Sequence, residues 1–386
     1  MSDGSCSASI FSARPVEWRI PIGCDFSGFF VEVALGFIPI LRSRIAELYL
    51  LQTRCDKSFL ALLKPSEADA YLAAQIADHD RTRAETAASI VIEHGNPCLM
   101  RTFERRPFHV IARVMSEGAL PPDQLKCALT ADELWVPTSW HVDVFRRQGV
   151  PDAMLAVIPE HVDADLFRPR ARSEAHSGVR FLSVFKWEHR KGWDVLLSAY
   201  WSEFSRHEGS VLRLRSYVPS WEPGPRTVDE WLRRVARSMG ASLDALPRVE
   251  VVSELSREAL AEEYAHSDAF VLPSRGEGWC LPCAEAMSAA LPVIATNFSG
   301  PAAFMTDANA MPLRVERELP SLQAEPSKEH LRELMRRVAA RPDDAARIGR
   351  RARADMLERF SATRVGEAIS ERLTQIVATK EQRPPD

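Results

Sequence analysis

Along this chain, short runs of apolar residues alternate with longer stretches in which apolar side chains return every three to four positions. In the first half the runs fall at 17 to 22, 46 to 51, 89 to 93, 108 to 112, 133 to 137 and 155 to 158. Runs this short predict buried strands, and the helical period between them predicts parallel strands joined by helices. The polar stretch from Arg168 to Gly178 holds a proline and a glycine and has no apolar period, so it reads as a linker. The alternation then restarts, with strands at about 180 to 185, 211 to 217, 248 to 252, 268 to 272 and 292 to 296 and helices near 193 to 206, 226 to 239, 256 to 266 and 284 to 290. This is the pattern of two doubly wound α/β sheets. The expected domains are 1–172 and 173–360, followed by a C-terminal segment, 361–386, in which Val365, Ile369, Leu373 and Ile376 mark an amphipathic helix.

Composition agrees with two cores: 386 residues, 46% of them hydrophobic and 26% charged, are enough for two compact domains. A formal net charge of -4 leaves no general basic surface, so no nucleic-acid partner is expected, and the Arg233-Arg234 and Arg350-Arg351 pairs read as solvated helix faces. The apolar run from Phe26 to Leu41 is interrupted by Glu32, Gly36 and Pro39, too short and too broken to span a bilayer. Phe29, Phe30, Val31 and Ile38 read as core, so any membrane contact would be peripheral. The preceding flank mixes Asp3 and Glu17 with Arg14 and Arg19, which is not the pattern of a secretory signal, and a cytoplasmic location is expected.

Seven cysteines, at 6, 24, 55, 98, 127, 280 and 283, form an odd, irregular set in a chain large enough to fold without staples. Reduced cysteines are the simplest expectation. Cys280 and Cys283 have the spacing of a redox dithiol or half a zinc site, but no second pair follows and His266 has no partner at ligand spacing, so no metal is expected. Small side chains filling a tight turn is the plainer reading, with a thiol-redox role as the alternative.

In an open parallel sheet, ligands bind beyond the carboxyl ends of the strands, where loops meet helix amino termini. Two loops of the second half stand out at such ends. After the strand Phe181 to Phe185 comes Lys186-Trp-Glu-His-Arg-Lys191-Gly192, whose cations ahead of a helix suit a diphosphate. After the strand Ala269 to Pro273 comes Ser-Arg-Gly-Glu277-Gly-Trp-Cys-Leu-Pro-Cys-Ala-Glu285-Ala-Met. A carboxylate accepts hydrogen bonds from vicinal hydroxyls, so one glutamate suits a sugar ring and the other a ribose diol, with backbone amides at Gly278 to Leu281 facing the diphosphate or the sugar. On spacing alone, a first-turn Glu285 favoured by the helix dipole and a surface Glu277 serve equally well.

These two segments, together with Val136-Pro-Thr-Ser-Trp-His and Val157-Ile-Pro-Glu-His-Val-Asp-Ala-Asp-Leu-Phe-Arg-Pro169, resemble glycosyltransferase family 4 (group 1), the retaining GT-B enzymes. The resemblance implies two Rossmann-like domains facing across a cleft, the first binding the acceptor and the second a nucleotide sugar, with a last helix returning to the first domain. It also implies a donor site of Gly28, Lys186, Lys191, Glu277, Gly278, Trp279, Cys280, Leu281 and Glu285. Lys186 and Lys191 match the pair that holds the donor diphosphate, Glu277 the residue on the transferred sugar and Glu285 the residue on the ribose. Lys186 stands where the family usually has an arginine, Cys280 where it commonly has a glycine, and His161 where glycine usually precedes Val-Asp. In the first half, Gly28 matches a glycine loop that meets the diphosphate, His94 a strand-end histidine near the reacting sugar, and Arg113 with Glu117 an Arg-x-Met-x-Glu stretch on the acceptor side.

The activity implied is transfer of a sugar from a nucleoside diphosphate sugar with its anomeric configuration kept, catalysed by Lys186, Lys191, Glu277 and His94 without metal or resident cofactor. The acceptor would be a glycan, a lipid-linked glycan or a small molecule. The alternatives are a protein that binds the sugar nucleotide without turning it over, and a thiol-redox protein using Cys280 and Cys283. A dehydrogenase is disfavoured because no G-x-G-x-x-G follows a predicted strand.

Overall fold

The computed structural model describes residues 11–20, 30–51, 88–100, 103, 105–170, 178–252 and 256–382. Gly28, expected in the donor site, lies outside the described residues. Contacts divide the chain into two compact units: Met1–Met115 with Ala119–His161 and Ala362–Asp386, and Ser116–Gly118 with Val162–Ser361. The first unit passes to the second at His161, whereas the polar run had placed the expected boundary at 172.

In the first unit, β1 (Val16–Arg19), β2 (Leu48–Leu51), β3 (Ile90–His94), β4 (His109–Arg113), β5 (Glu133–Val136) and β6 (Leu155–Val157) form one parallel sheet in the order β2-β1-β3-β4-β5-β6. Parallel strands covered on both faces read as unbroken apolar runs, which is why Ile90, Val91 and Ile92 are all buried. Helices α1 (Pro122–Ala128) and α2 (Ser139–Arg147) follow β4 and β5. The Glu32-bearing run folds as a π-helical segment, Phe30–Phe37, continuing as Ile38–Leu41. Its Phe37 stacks on Trp18 at 5.0 Å between ring centroids, and Trp18 meets Trp135 edge-on at 6.3 Å. Gly36 has a packing reason: a Cβ there would collide with the His161 ring, so the histidine is accommodated by a glycine on the facing segment.

The second unit holds β7 (Arg180–Lys186), β8 (Val211–Tyr217), β9 (Arg248–Val252), β10 (Ala269–Leu272), β11 (Val293–Thr296) and β12 (Met311–Leu313), all parallel, in the order β12-β11-β10-β7-β8-β9. Its helices are α3 (Trp193–Glu203), α4 (Val228–Ser238), α5 (Arg257–Ala265), α6 (Leu281–Ser288), α7 (Lys328–Ala340) and α8 (Pro342–Phe360). Local rules place the ends well. Thr227 and Glu230 close a capping box on α4, and Ser256 accepts from Ala259 N at the start of α5. β12 and the small antiparallel pair β13 (Val315–Glu318) and β14 (Ala324–Pro326) go beyond the predicted strands, being only three or four residues long, with a proline in β12 and in β14 and a wholly polar run after Val315 in β13.

The last helix, α9 (Ala362–Glu381), belongs to the first unit, where Val365, Ile369, Leu373 and Ile376 join the core cluster that holds Trp18, Phe37 and Ile38. Arg372 fastens it through two bonds to Glu133, at 2.7 and 2.9 Å. Among the described residues no helix is long and apolar enough to cross a membrane. The expectation of unpaired cysteines is corrected at four positions: Cys98 bonds to Cys127 and Cys280 to Cys283. Cys98 and Cys127 stand 29 residues apart and are brought together by the fold, whereas Cys280 and Cys283 already have the spacing of a dithiol.

Candidate functional site

In the second sheet the chain adds β8 and β9 on one side of β7, then returns to add β10, β11 and β12 on the other. The strand order therefore reverses between β7 and β10, and the crevice beyond the carboxyl ends at such a reversal is where open α/β sheets bind ligands. The loops that follow β7 and β10 are the two that the sequence singles out.

Backbone contacts lock these loops together. The turn His189–Lys191 ends at Gly192, whose φ of 69° is left-handed, and a Cβ at this position would collide with the Pro273 carbonyl. Arg275 N donates to Arg190 O at 2.7 Å, and Arg190 Nη1 donates back to Gly276 O at 2.7 Å. Arg275, which sequence reasoning missed, is the clamp. Buried at 3% exposure, it donates two 2.8 Å bonds to Asp194 on α3, two more to Glu325 on β14 and one to His189 O. Its one visible signal is an arginine inside the otherwise small and apolar approach to Glu277.

On this frame Lys191 Nζ lies 2.7 and 2.8 Å from the two carboxylate oxygens of Glu277. Arg190 Nη1 is 3.5 Å from the same carboxylate, while its Nη2 reaches Glu117 at 3.1 Å and Glu188 at 3.3 Å. Burial alone would raise the Glu277 carboxyl, but Lys191, Arg190 and hydrogen bonds from Lys191 and Ser274 outweigh it and hold it below its ordinary value. Glu277 N donates to Ser299 Oγ at 3.0 Å, and Gly300 N donates to Glu277 O at 2.9 Å, so the glutamate is fixed from behind. Lys186, at the end of β7, has its ammonium 5.7 Å from the ring centroid of Trp221.

Cys280 caps α6 from a left-handed conformation, φ 83°, where glycine is ordinarily favoured. Its sulfur is bonded to Cys283 and accepts from Cys283 N at 3.3 Å, so the side chain is turned in beneath the first helical turn and is 4% exposed. Trp279 also turns inward, packing on Phe304 at 4.9 Å and Phe360 at 5.1 Å. The Trp279 ring is therefore committed to this packing, and only its backbone is left for the expected place in the donor site. Glu285, in the second turn of α6, accepts from the Tyr264 hydroxyl at 2.8 Å. Desolvation, opposed by Tyr264 and Arg257 and helped by Asp163, pushes its carboxyl up to about 7.

His94 and Arg113 meet in the first unit, in a buried cluster with Glu32 and Glu160, which sequence reasoning did not assign to a site. Trp18 Nε1 donates to His94 Nδ1 at 3.4 Å, and His94 Nε2 lies 3.2 Å from Glu32 Oε1. Burial and the Arg113 charge hold the imidazole near a pKa of about 3, so it is neutral at physiological pH. Arg113 pairs with Glu32 at 3.5 Å and with Glu160, and donates to Ile158 O at 2.9 Å. Desolvation, reinforced by the neighbouring Glu32 carboxylate, pushes Glu160 well above its ordinary value. The structure thus separates the two residues expected on the acceptor side: Arg113 is spent in this cluster, while Glu117 counts with the second unit and pairs with Arg190.

Residues 177–325 match the family model described as glycosyl transferases group 1. The D-inositol 3-phosphate glycosyltransferase of Nocardiopsis dassonvillei is 26% identical over 211 residues, covering 50% of this chain and 48% of that protein, so the match spans about half of the curated relative. Among solved structures, Anabaena Alr3699/HepE in complex with UDP and glucose superposes with a TM-score of 0.71 at 15% identity, covering 94% of this chain and 100% of that one. Sucrose-phosphate synthase from Thermosynechococcus elongatus superposes with a TM-score of 0.69 at 15% identity, covering 95% and 100%. Both likenesses concern the fold, two Rossmann-like α/β domains, as the hydrophobic pattern predicts. Residues 177–325 are therefore similar to the glycosyl transferases of group 1, within a chain that has the GT-B fold.

Proposed function

We propose that this protein is a retaining glycosyltransferase that seats a nucleoside diphosphate sugar on its second unit and transfers the sugar to an acceptor hydroxyl. The observation that supports it best is the contact of Lys191 with Glu277 at the reversal point between β7 and β10. In such a donor a doubly charged diphosphate and a hydroxyl-bearing ring are directly bonded neighbours. A cation and a carboxylate in contact offer matching partners side by side.

Lys186 and Lys191 take the diphosphate, with Arg190 reinforcing the positive field, and the amides of Gly278 to Leu281 at the start of α6 add their dipoles. Glu277, kept ionised by its cations, accepts from hydroxyls of the transferred sugar. Glu285 accepts from the ribose diol. The acceptor attacks on the face the diphosphate leaves, and the departing phosphate takes the proton, so no carboxylate nucleophile is required. Positioning alone is worth up to about 7–11 kcal/mol in a reaction of this kind. The cations supply the charge for the leaving group themselves, and transfer is expected to survive EDTA.

The test is transfer and donor hydrolysis across a panel of nucleotide sugars, comparing the wild type with Lys191→Ala. The variant should lose about 10²-fold or more, since one cation facing developing phosphate charge is removed. Near-normal turnover would overturn the assignment. Tight nucleotide binding with neither hydrolysis nor transfer would leave a sugar-nucleotide-binding protein. The thiol-redox alternative has the Cys280–Cys283 bond in its favour, but both sulfurs lie on residues at most 4% exposed. A Cys280→Ser, Cys283→Ser variant with unchanged transfer would remove it.

A further inference from the structure

Of nine tryptophans, seven are buried and Trp140 is half-buried, while Trp221 stands 65% exposed. A large apolar ring left mostly in water returns little to folding, yet this one is held in place. Its Nε1 donates to Glu188 at 3.3 Å. The loop that carries it, 218–226, has three prolines and is tied at both ends: Glu222 N donates to Pro219 O at 3.1 Å, Arg226 Nη1 to Ser220 O at 3.2 Å and Trp231 Nε1 to Pro225 O at 3.1 Å. The loop leaves β8 at Tyr217, the register partner of Lys186, and returns to set the Trp221 ring 5.7 Å from the Lys186 ammonium. Tyr217, 40% exposed, stands at the same strand end.

We infer that the Trp221 ring is the stacking platform for the nucleobase of the donor, an inference that rests on the assignment of Lys186 to the donor diphosphate. The base is the flat aromatic part of a nucleoside diphosphate sugar, and in the nucleotide a single ribose separates it from the first phosphate. A fixed indole beside the phosphate-binding lysine offers both partners in that order, and the cation next to the ring adds to the attraction for an electron-rich heterocycle. The loop is preorganised, so little ordering cost falls on the ligand. Stacking of this kind tolerates different bases.

Calorimetry with UDP, GDP, ADP and inorganic pyrophosphate tests the inference on the full chain. Trp221→Ala should weaken the nucleoside diphosphate that binds wild type by roughly 5- to 150-fold and leave pyrophosphate affinity unchanged, while Trp221→Phe keeps most of the affinity. Nucleotide should also quench tryptophan emission in the wild type and less in Trp221→Ala, with melting temperature equal in all three proteins. Unchanged nucleotide affinity in Trp221→Ala, with Lys191→Ala weakening both ligands, would overturn the platform and leave the donor site standing. A raised acceptor KM alone would also overturn it, assigning the ring to the acceptor. Failure of every nucleotide to bind the wild type would remove the donor reading and the platform together.

Discussion

Glu285 stands at a pKa of about 7, so at neutral pH half of it is a neutral acid that cannot accept fully from a diol. In the proposed donor site, ribose binding draws on the carboxylate. Nucleotide affinity should therefore climb as pH rises through 7 and level off above it, and Glu285→Gln should flatten the profile; calorimetry with UDP between pH 5.5 and 8.5 reads this directly. The same raised value has the opposite sign for folding: the folded chain holds this proton more tightly than the unfolded one, so its contribution to stability is full below 4.5 and lost as pH rises through 7. Lys191 also has a structural side, because removing it leaves the buried Glu277 with Arg190 at 3.5 Å as its nearest remaining cation. Lys191→Ala should thus melt earlier than Lys191→Ala combined with Glu277→Gln, although the double variant transfers no better.

The two loops work as one element because Gly192 lets them touch. Gly192→Ala carries about 1–2 kcal/mol for a left-handed alanine, plus the collision with the Pro273 carbonyl. Its melting temperature should fall and its nucleotide affinity with it, whereas an alanine at Gly149, also left-handed but with nothing close to a Cβ, should cost stability alone. A thermal melt paired with nucleotide titration distinguishes the two. That Gly192 punctuates a loop is legible from its place before an apolar helical period. That it faces Pro273 is not, since 81 residues separate them and only the β7–β10 pairing brings them together.

In the first unit, Glu32, His94, Arg113 and Glu160 form a buried charged cluster. Arg113→Met removes the one guanidinium from between two carboxyls and should destabilise by about 3–5 kcal/mol, read as a shift in the denaturant midpoint. Ending the chain after Ser361 should be worse for this unit than for the other. It strips Val365, Ile369, Leu373 and Ile376 from the core, each worth about 1.5–3 kcal/mol of burial. Limited proteolysis should then cut within 11–161 while 178–361 stays protected.

The succession of apolar runs by itself determined two parallel sheets and a final amphipathic helix, because burial on both faces forces continuous apolar strands whatever their neighbours. It also marked Lys186, Lys191, Glu277 and Glu285, since charges gathered at helix entrances break the pattern and ask for a ligand. Tertiary structure alone decided which of these meet. Lys191 and Glu277 are 86 residues apart, and their contact depends on strand order, which local periodicity does not encode. It likewise turned Trp279 inward and Trp221 outward, buried His94 against Trp18 and Glu32, and joined Cys98 to Cys127. A side chain's direction is set by what packs around it, and that is a property of the assembled fold.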